Sequence, residues 1–180
     1  GGERLPFGSA VTLSLDGLTT LSADTAKALA STGFGGFFLS FNGLTTLSAD
    51  TAKALGGYFE CPGLAFDGLT TLSADAAAAL TEGLMKKRCS WLSLNGLTTL
   101  SADTAAALAD YPGGLNLDGL TTLSADTAKA LAGLKGDALI LNGLTTLSDE
   151  ATKALARCNG YTLNKARSEQ LVHPAAPVEE

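Results

Sequence analysis

Gly17-Leu18-Thr19-Thr20-Leu21-Ser22 opens a phrase that returns at Gly43, Gly68, Gly96, Gly119 and Gly143, each time followed by an alanine-rich stretch ending in Leu. Successive glycines stand 26, 25, 28, 23 and 24 residues apart, which leaves each unit room for one short strand, one short helix and two connections. A single unit of that size cannot bury its own apolar face, whereas six stacked units can. The repeat therefore predicts an elongated solenoid of α/β class. Positions that recur in sequence should form columns in space.

Val11 to Ala30 shows how one unit is written. Leu13 and Leu15 alternate with Thr12 and Ser14, the period-two pattern of a strand with one buried face. The same slots hold Leu39/Phe41, Leu64/Phe66, Leu92/Leu94, Leu115/Leu117, Leu139/Leu141 and Tyr161/Leu163, so seven strands are expected, the last in a truncated repeat. Gly17 follows, where a missing side chain permits a sharp change of direction. Leu18 and Leu21 are expected to point inward. Ser22 is placed to cap a helix, with Asp24 in its first turn, where the helix dipole favours a carboxylate. Ala26, Leu29 and Ala30 then share one helical face, and Lys27 lies three residues beyond Asp24 on the solvent side. Small inward side chains let such a helix lie close to the strand layer.

The pattern Leu-x-Leu-[Asn/Asp]-Gly-Leu-x-x-Leu-Ser followed by a helix resembles a leucine-rich repeat, most of all the short, degenerate repeats of that class in bacterial proteins. The resemblance covers roughly Val11 to Asn164. It departs from the common signature in one respect, since Asn42, Asn95 and Asn142 directly follow the second strand residue of their units. It implies parallel strands on one face, short helices on the other, and a binding or scaffolding role. Gly1–Ala10 and Lys165–Glu180 are read as flanks of a single domain.

Composition narrows the partners. The chain of 180 residues carries a formal charge of −6 with only 12 basic residues, and its one basic cluster, Lys86-Lys87-Arg88, is too small to follow a phosphate backbone. Nucleic acid is not an expected partner. Mean hydropathy is +0.22, but it comes from Ala and Leu in short phrases, and no run approaches the about 20 apolar residues of a membrane span. The start Gly1-Gly2-Glu3 suggests an origin in processing or design, so compartment is not read from it. The near-identical copies Gly17–Leu29, Gly43–Leu55 and Gly119–Leu131 point to recent duplication or consensus design.

Four columns carry chemistry. Asp16, Asn42, Asp67, Asn95, Asp118, Asn142 and Asn164 alternate carboxylate with amide. An Asn between each pair of carboxylates could donate its amide protons to them and relieve repulsion at about 5 Å. The competing reading is a row of calcium sites, which one Asp per two rungs supplies poorly. The threonine pairs, Thr19-Thr20 through Thr145-Thr146, are read as turn chemistry. Neighbours in an extended segment point to opposite faces and would not form the flat plane that ice binding needs.

On the solvent side of the strands, Phe38 and Trp91 flank Gly63, with Ser40 and Ser93 beside them. The two rings could pinch a flat or extended ligand, or simply fold over Gly63 to cover main chain. Cys61, Cys89 and Cys158 each lie seven residues before the turn position of their repeats. Cys61 and Cys89 fall on adjacent rungs, within disulfide reach, while Cys158 has no partner; the alternative is buried thiols behind each helix. A Cys61–Cys89 bond would favour an extracytoplasmic setting.

No enzyme motif is found. His173, the sole histidine, sits in a tail rich in Pro and Ala, the cysteines lack metal-ligand spacing, and there is no phosphate loop. No catalytic residue, metal or cofactor is therefore assigned. The expected function is non-enzymatic protein binding or scaffolding, the alternative a structural protein assembling end to end from copies of itself.

Overall fold

The computed structural model describes residues 11–31, 36–56, 61–87, 89–156 and 161–162. Strands β1 (Thr12–Ser14), β2 (Phe38–Ser40), β3 (Gly63–Ala65), β4 (Trp91–Ser93), β5 (Gly114–Asn116), β6 (Leu139–Ile140) and β7 (Tyr161–Thr162) form one seven-stranded sheet in chain order, every pair parallel. Parallel neighbours require a crossover, and here helices supply it. They are α1 (Ala23–Ser31), α2 (Ala49–Gly56), α3 (Ala74–Lys87), α4 (Ala102–Ala109), α5 (Ala125–Leu131) and α6 (Asp149–Leu155). The chain is thus α/β, a parallel sheet alternating with helices, and each helix packs against the next. Leu163, Asn164, Cys158, His173 and both flanks lie outside the described residues.

The register aligns Leu13, Leu39, Leu64, Leu92, Leu115 and Leu139 as direct partners. Pairing runs one residue past each short strand. Leu15, Phe41, Phe66, Leu94 and Leu117 donate their amides to the following strand at 2.8–2.9 Å. The core is a row of such columns between sheet and helices. Leu39, Leu64, Leu92 and Leu115 are wholly buried, as are Leu55, Leu80, Leu108 and Leu131 on the helices facing them. Phe41 and Phe66 stack at 5.5 Å between centroids, with planes 12° apart. The first unit differs, because Leu13, Leu15 and Leu18 are only half-buried.

Each helix starts where the phrase predicts. The hydroxyls of Ser22, Ser48, Ser73, Ser101, Ser124 and Ser148 accept the amide three residues on at 3.1–3.2 Å. The threonines at that third position extend the cap sideways. Thr51, Thr104 and Thr127 donate their hydroxyls to the carbonyls of Leu21, Leu72 and Leu100 in the preceding unit, at 3.1–3.2 Å. A local capping residue therefore also ties one unit to the last. Thr104→Ala removes the lateral bond together with the 2.9 Å bond between the Thr104 and Ser101 hydroxyls, while the backbone cap to Ser101 survives. It should cost about 1 kcal/mol, read as a lower denaturant midpoint.

The longest interval, 28 residues, holds the longest helix, the 14-residue α3. There the packing is backbone on backbone. A Cβ on Gly56 of α2 would stand 2.8 Å from the Leu80 carbonyl oxygen and 2.9 Å from the Gly83 Cα of α3.

Candidate functional site: the outer sheet face and the columns beside it

The outer sheet face does not form the pinch between Phe38 and Trp91. A Cβ on Gly63 would meet Phe38 Cε2 at 2.5 Å and Trp91 Cβ at 2.9 Å, so the Phe38 ring already lies over that glycine. The indole of Trp91 lies over Gly114 of the following strand instead. Both rings lean the same way, each into the space left by the next missing side chain, and each covers main chain. Phe38 is buried as a result, and Trp91 half-buried. Covering by rings was the alternative in the sequence, but only Phe38 covers Gly63.

Ser40 and Ser93 are also occupied. Their hydroxyls donate at 2.6 Å to Asp16 Oδ1 and Asp67 Oδ1 of the preceding units, and each serine is only 5% exposed. Of the five residues singled out on this face, Trp91 alone keeps appreciable surface. Asn116 on β5, Ile140 on β6 and Ala138 just before β6 are half-buried as well.

The Asp/Asn column works by a different bond from the one expected. Asp16 Oδ1 accepts the amide of Asn42 at 2.7 Å, Asn42 Oδ1 that of Asp67 at 2.8 Å, and Asp67 Oδ1 that of Asn95 at 2.9 Å. Asn95 Oδ1 then accepts the amide of Asp118 at 2.9 Å, and Asp118 Oδ1 that of Asn142 at 2.7 Å. Each side chain satisfies the main chain of the next unit, for which a carboxylate or an amide oxygen serves equally. The Nδ2 of Asn95 reaches the Ser93 hydroxyl at 3.1 Å rather than a carboxylate. Alternation has a second correlate. Asp16 and Asp67 are each followed on the next strand by a serine donor, whereas Ala65 and Asn116 follow Asn42 and Asn95; Asp118 departs from this, being followed by Ile140. Among the described residues no group of three or more His, Cys, Asp or Glu side chains is placed to hold a metal.

Asp16 titrates below its ordinary value. Partial burial pushes the carboxyl up, but the Ser40 hydroxyl, the Asn42 amide and Ser14 together outweigh it and hold the charged form. A carboxyl depressed in the folded state stabilises the protein above its unfolded value, about 3.9, and that stabilisation is lost as pH falls through the lower folded value. Asp16→Asn should therefore lower stability at neutral pH and lose less than the parent on acidification below about pH 4. Urea unfolding of both proteins at pH 7 and pH 3 checks this.

The threonine pairs are not buried in turn chemistry. All twelve, from Thr19-Thr20 to Thr145-Thr146, are exposed. Of these twelve, Thr145 uses its hydroxyl on main chain, donating to the Thr121 carbonyl at 3.1 Å. Alternation in an extended segment sends neighbours to opposite sides, but this segment bends at an edge where both sides meet solvent.

Cys61 and Cys89 come together as expected from their spacing, as two thiols with sulfurs 3.4 Å apart. Both are buried. Cys89 Sγ is 3.5 Å from the carbonyl of Trp91, and the buried Tyr111 hydroxyl donates to the carbonyl of Cys89 at 2.8 Å. The hydrogen bond with Cys89, with burial added, pushes the Cys61 thiol up, and the same bond draws Cys89 down against its own burial. Burial, with Cys89 next to it, raises Tyr111.

The helix side holds a feature that column reading missed. A groove of about 700 Å³ runs over α1, α2 and α3, lined by Lys27, Asp50, Lys53, Glu82 and Lys86 among others. Lys27 pairs with Asp24 at 3.5 Å and Lys86 with Glu82 at 2.7 Å, all exposed. The extra turns of α3 build its wall, and the 28-residue interval was the signal for it. No helix among the described residues is long and apolar enough to cross a membrane. No protein-family model matches the chain, and no curated protein is significantly similar to it.

Proposed function

We propose that the chain is a non-enzymatic, leucine-rich-repeat-like solenoid that binds a protein partner across its outer sheet face. The observation that carries this reading is the make-up of that face. Charged side chains are absent from strands β1 to β6, and Trp91 on β4 is half-buried, with its indole over Gly114. A partly exposed tryptophan on an uncharged face is the composition of an interface centre rather than of a rim. The fold supports the reading by its in-order parallel sheet backed by helices. Panning a random peptide library against the folded chain tests it. Enriched peptides should lose affinity at least tenfold for Trp91→Ala; peptides that bind the variant equally well, or no enrichment at all, would count against this face.

A second reading, end-to-end assembly, is favoured by the first unit. Its Leu13, Leu15 and Leu18 are half-buried where their described counterparts in later units are fully buried, and Val11 is 63% exposed. Unpaired strand edges and apolar ends are what a head-to-tail contact covers. Sedimentation across a concentration series separates the two readings, since assembly requires a mass that rises with concentration and that Leu13→Lys lowers.

A further inference from the structure

We propose that Cys61 and Cys89 form a peroxide-responsive dithiol whose oxidation joins β3 to β4 and is felt at Trp91. Three observations carry it, and none depends on what binds the outer face. The sulfurs stand 3.4 Å apart, and a disulfide needs them at about 2.05 Å, so closure asks for a small shift. The two residues hold equivalent places, three residues before the paired Leu64 and Leu92, so that shift acts between neighbouring strands of the sheet. The hydrogen bonds are also directional. Cys89 Sγ donates to the Trp91 carbonyl, which leaves the Cys61 thiol as donor to the Cys89 sulfur.

That direction sets the order of chemistry. Both thiols are buried, so the oxidant must be small, and hydrogen peroxide is the class that fits. The Cys89 sulfur, as thiolate, attacks one peroxide oxygen; an S–O bond forms, the O–O bond breaks, and the departing hydroxide takes up the proton Cys89 gave up. The Cys61 sulfur then attacks Cys89; the S–S bond forms, the S–O bond breaks, and the second hydroxide leaves as water with the Cys61 proton. Two thiols are oxidised and one peroxide is reduced to two waters. The lowered titration of Cys89 relative to Cys61 agrees with that order.

Oxidation removes the S–H donor from the Trp91 carbonyl and draws the Cys89 main chain, held on its other side by Tyr111, toward β3. Trp91 is the sole tryptophan of the chain, so its fluorescence reports on the event.

The experiment treats the folded full-length chain with peroxide, removes the excess with catalase, and combines non-reducing peptide mapping with tryptophan emission. The expected result is a Cys61–Cys89 disulfide and a shift in emission that a reductant reverses. Cys61→Ser should show no such reversible shift and should trap a dimedone-reactive sulfenic acid on Cys89. Oxidation confined to Cys158, with Cys61 and Cys89 still alkylated as thiols after unfolding, would overturn the proposal. So would a Cys61–Cys89 bond that leaves the Trp91 emission unchanged, which would refute the coupling between the pair and the outer face.

Discussion

Gly119→Ala should lower stability by about 3 kcal/mol, while Gly17→Ala, the same change at the same place in the phrase, should fall within about 0.5 kcal/mol of the parent. The difference lies in what stands behind each glycine. A Cβ on Gly119 would be driven into the carbonyl oxygen of Asn95 and would lie 2.7 Å from that of Leu97. Gly43, Gly68, Gly96 and Gly143 meet the carbonyls of their own preceding units in the same way. Gly17, in the first of the described units, has nothing within 4 Å. Backbone cannot swing aside as a flexible side chain can, so one added methyl must push two units apart along the turn. Conformational freedom is not the cause. Gly36 is the described glycine with positive φ, at 89°, and it is not a turn glycine of the phrase. Thermal unfolding should show a drop of roughly 10 °C for Gly119→Ala and almost none for Gly17→Ala. Equal losses at both sites would mean that the turn itself, and not its contact with the unit before, demands glycine.

The second large effect is expected at Asp67. Its Oδ1 accepts both the Ser93 hydroxyl at 2.6 Å and the Asn95 amide at 2.9 Å, two bonds to one carboxylate between neighbouring units. Asp67→Ala abandons both donors, one of them on a buried serine, and should cost about 2–3 kcal/mol. Asp67→Asn keeps an acceptor oxygen in place and should cost under about 1 kcal/mol, as the natural Asn positions of the column imply. Adding Ser93→Ala to Asp67→Ala should recover part of the loss, because it removes a donor left without a partner. Full additivity of the two single changes, in a denaturant-unfolding cycle, would show that Ser93 and Asp67 do not act together.

Much of the frame was legible because it repeats. The paired leucines placed the strands and their register, and the serine of each phrase placed each helix start, but the longer helix α3 and the groove it walls went unread in the 28-residue interval. What escaped the sequence is what depends on the distance between units. The Asp/Asn alternation was visible, but whether the amide nitrogen or the amide oxygen would be used turned on where the next main-chain amide arrives. Glycine was read for its freedom to turn, when the observed need is room for a neighbouring carbonyl. Phe38 and Trp91 were rightly placed on the outer face, yet the direction each ring leans is decided by the glycine after it, Gly63 in one case and Gly114 in the other. Pairing Cys61 with Cys89 was accessible from spacing alone, whereas Tyr111, which comes to the same place from the next unit, carried no periodic signal.

The central claim is that equivalent residues of successive sequence units are direct neighbours in one parallel sheet. Nuclear Overhauser contacts among selectively labelled leucine methyl and amide protons test it in a single spectrum. The account predicts cross-strand contacts between Leu64 and Leu92 and between Leu92 and Leu115, with none between Leu64 and Leu115, which lie two strands apart. A direct contact between Leu64 and Leu115, or a pairing of Leu92 shifted by one residue so that Trp91 faces the core, would contradict it.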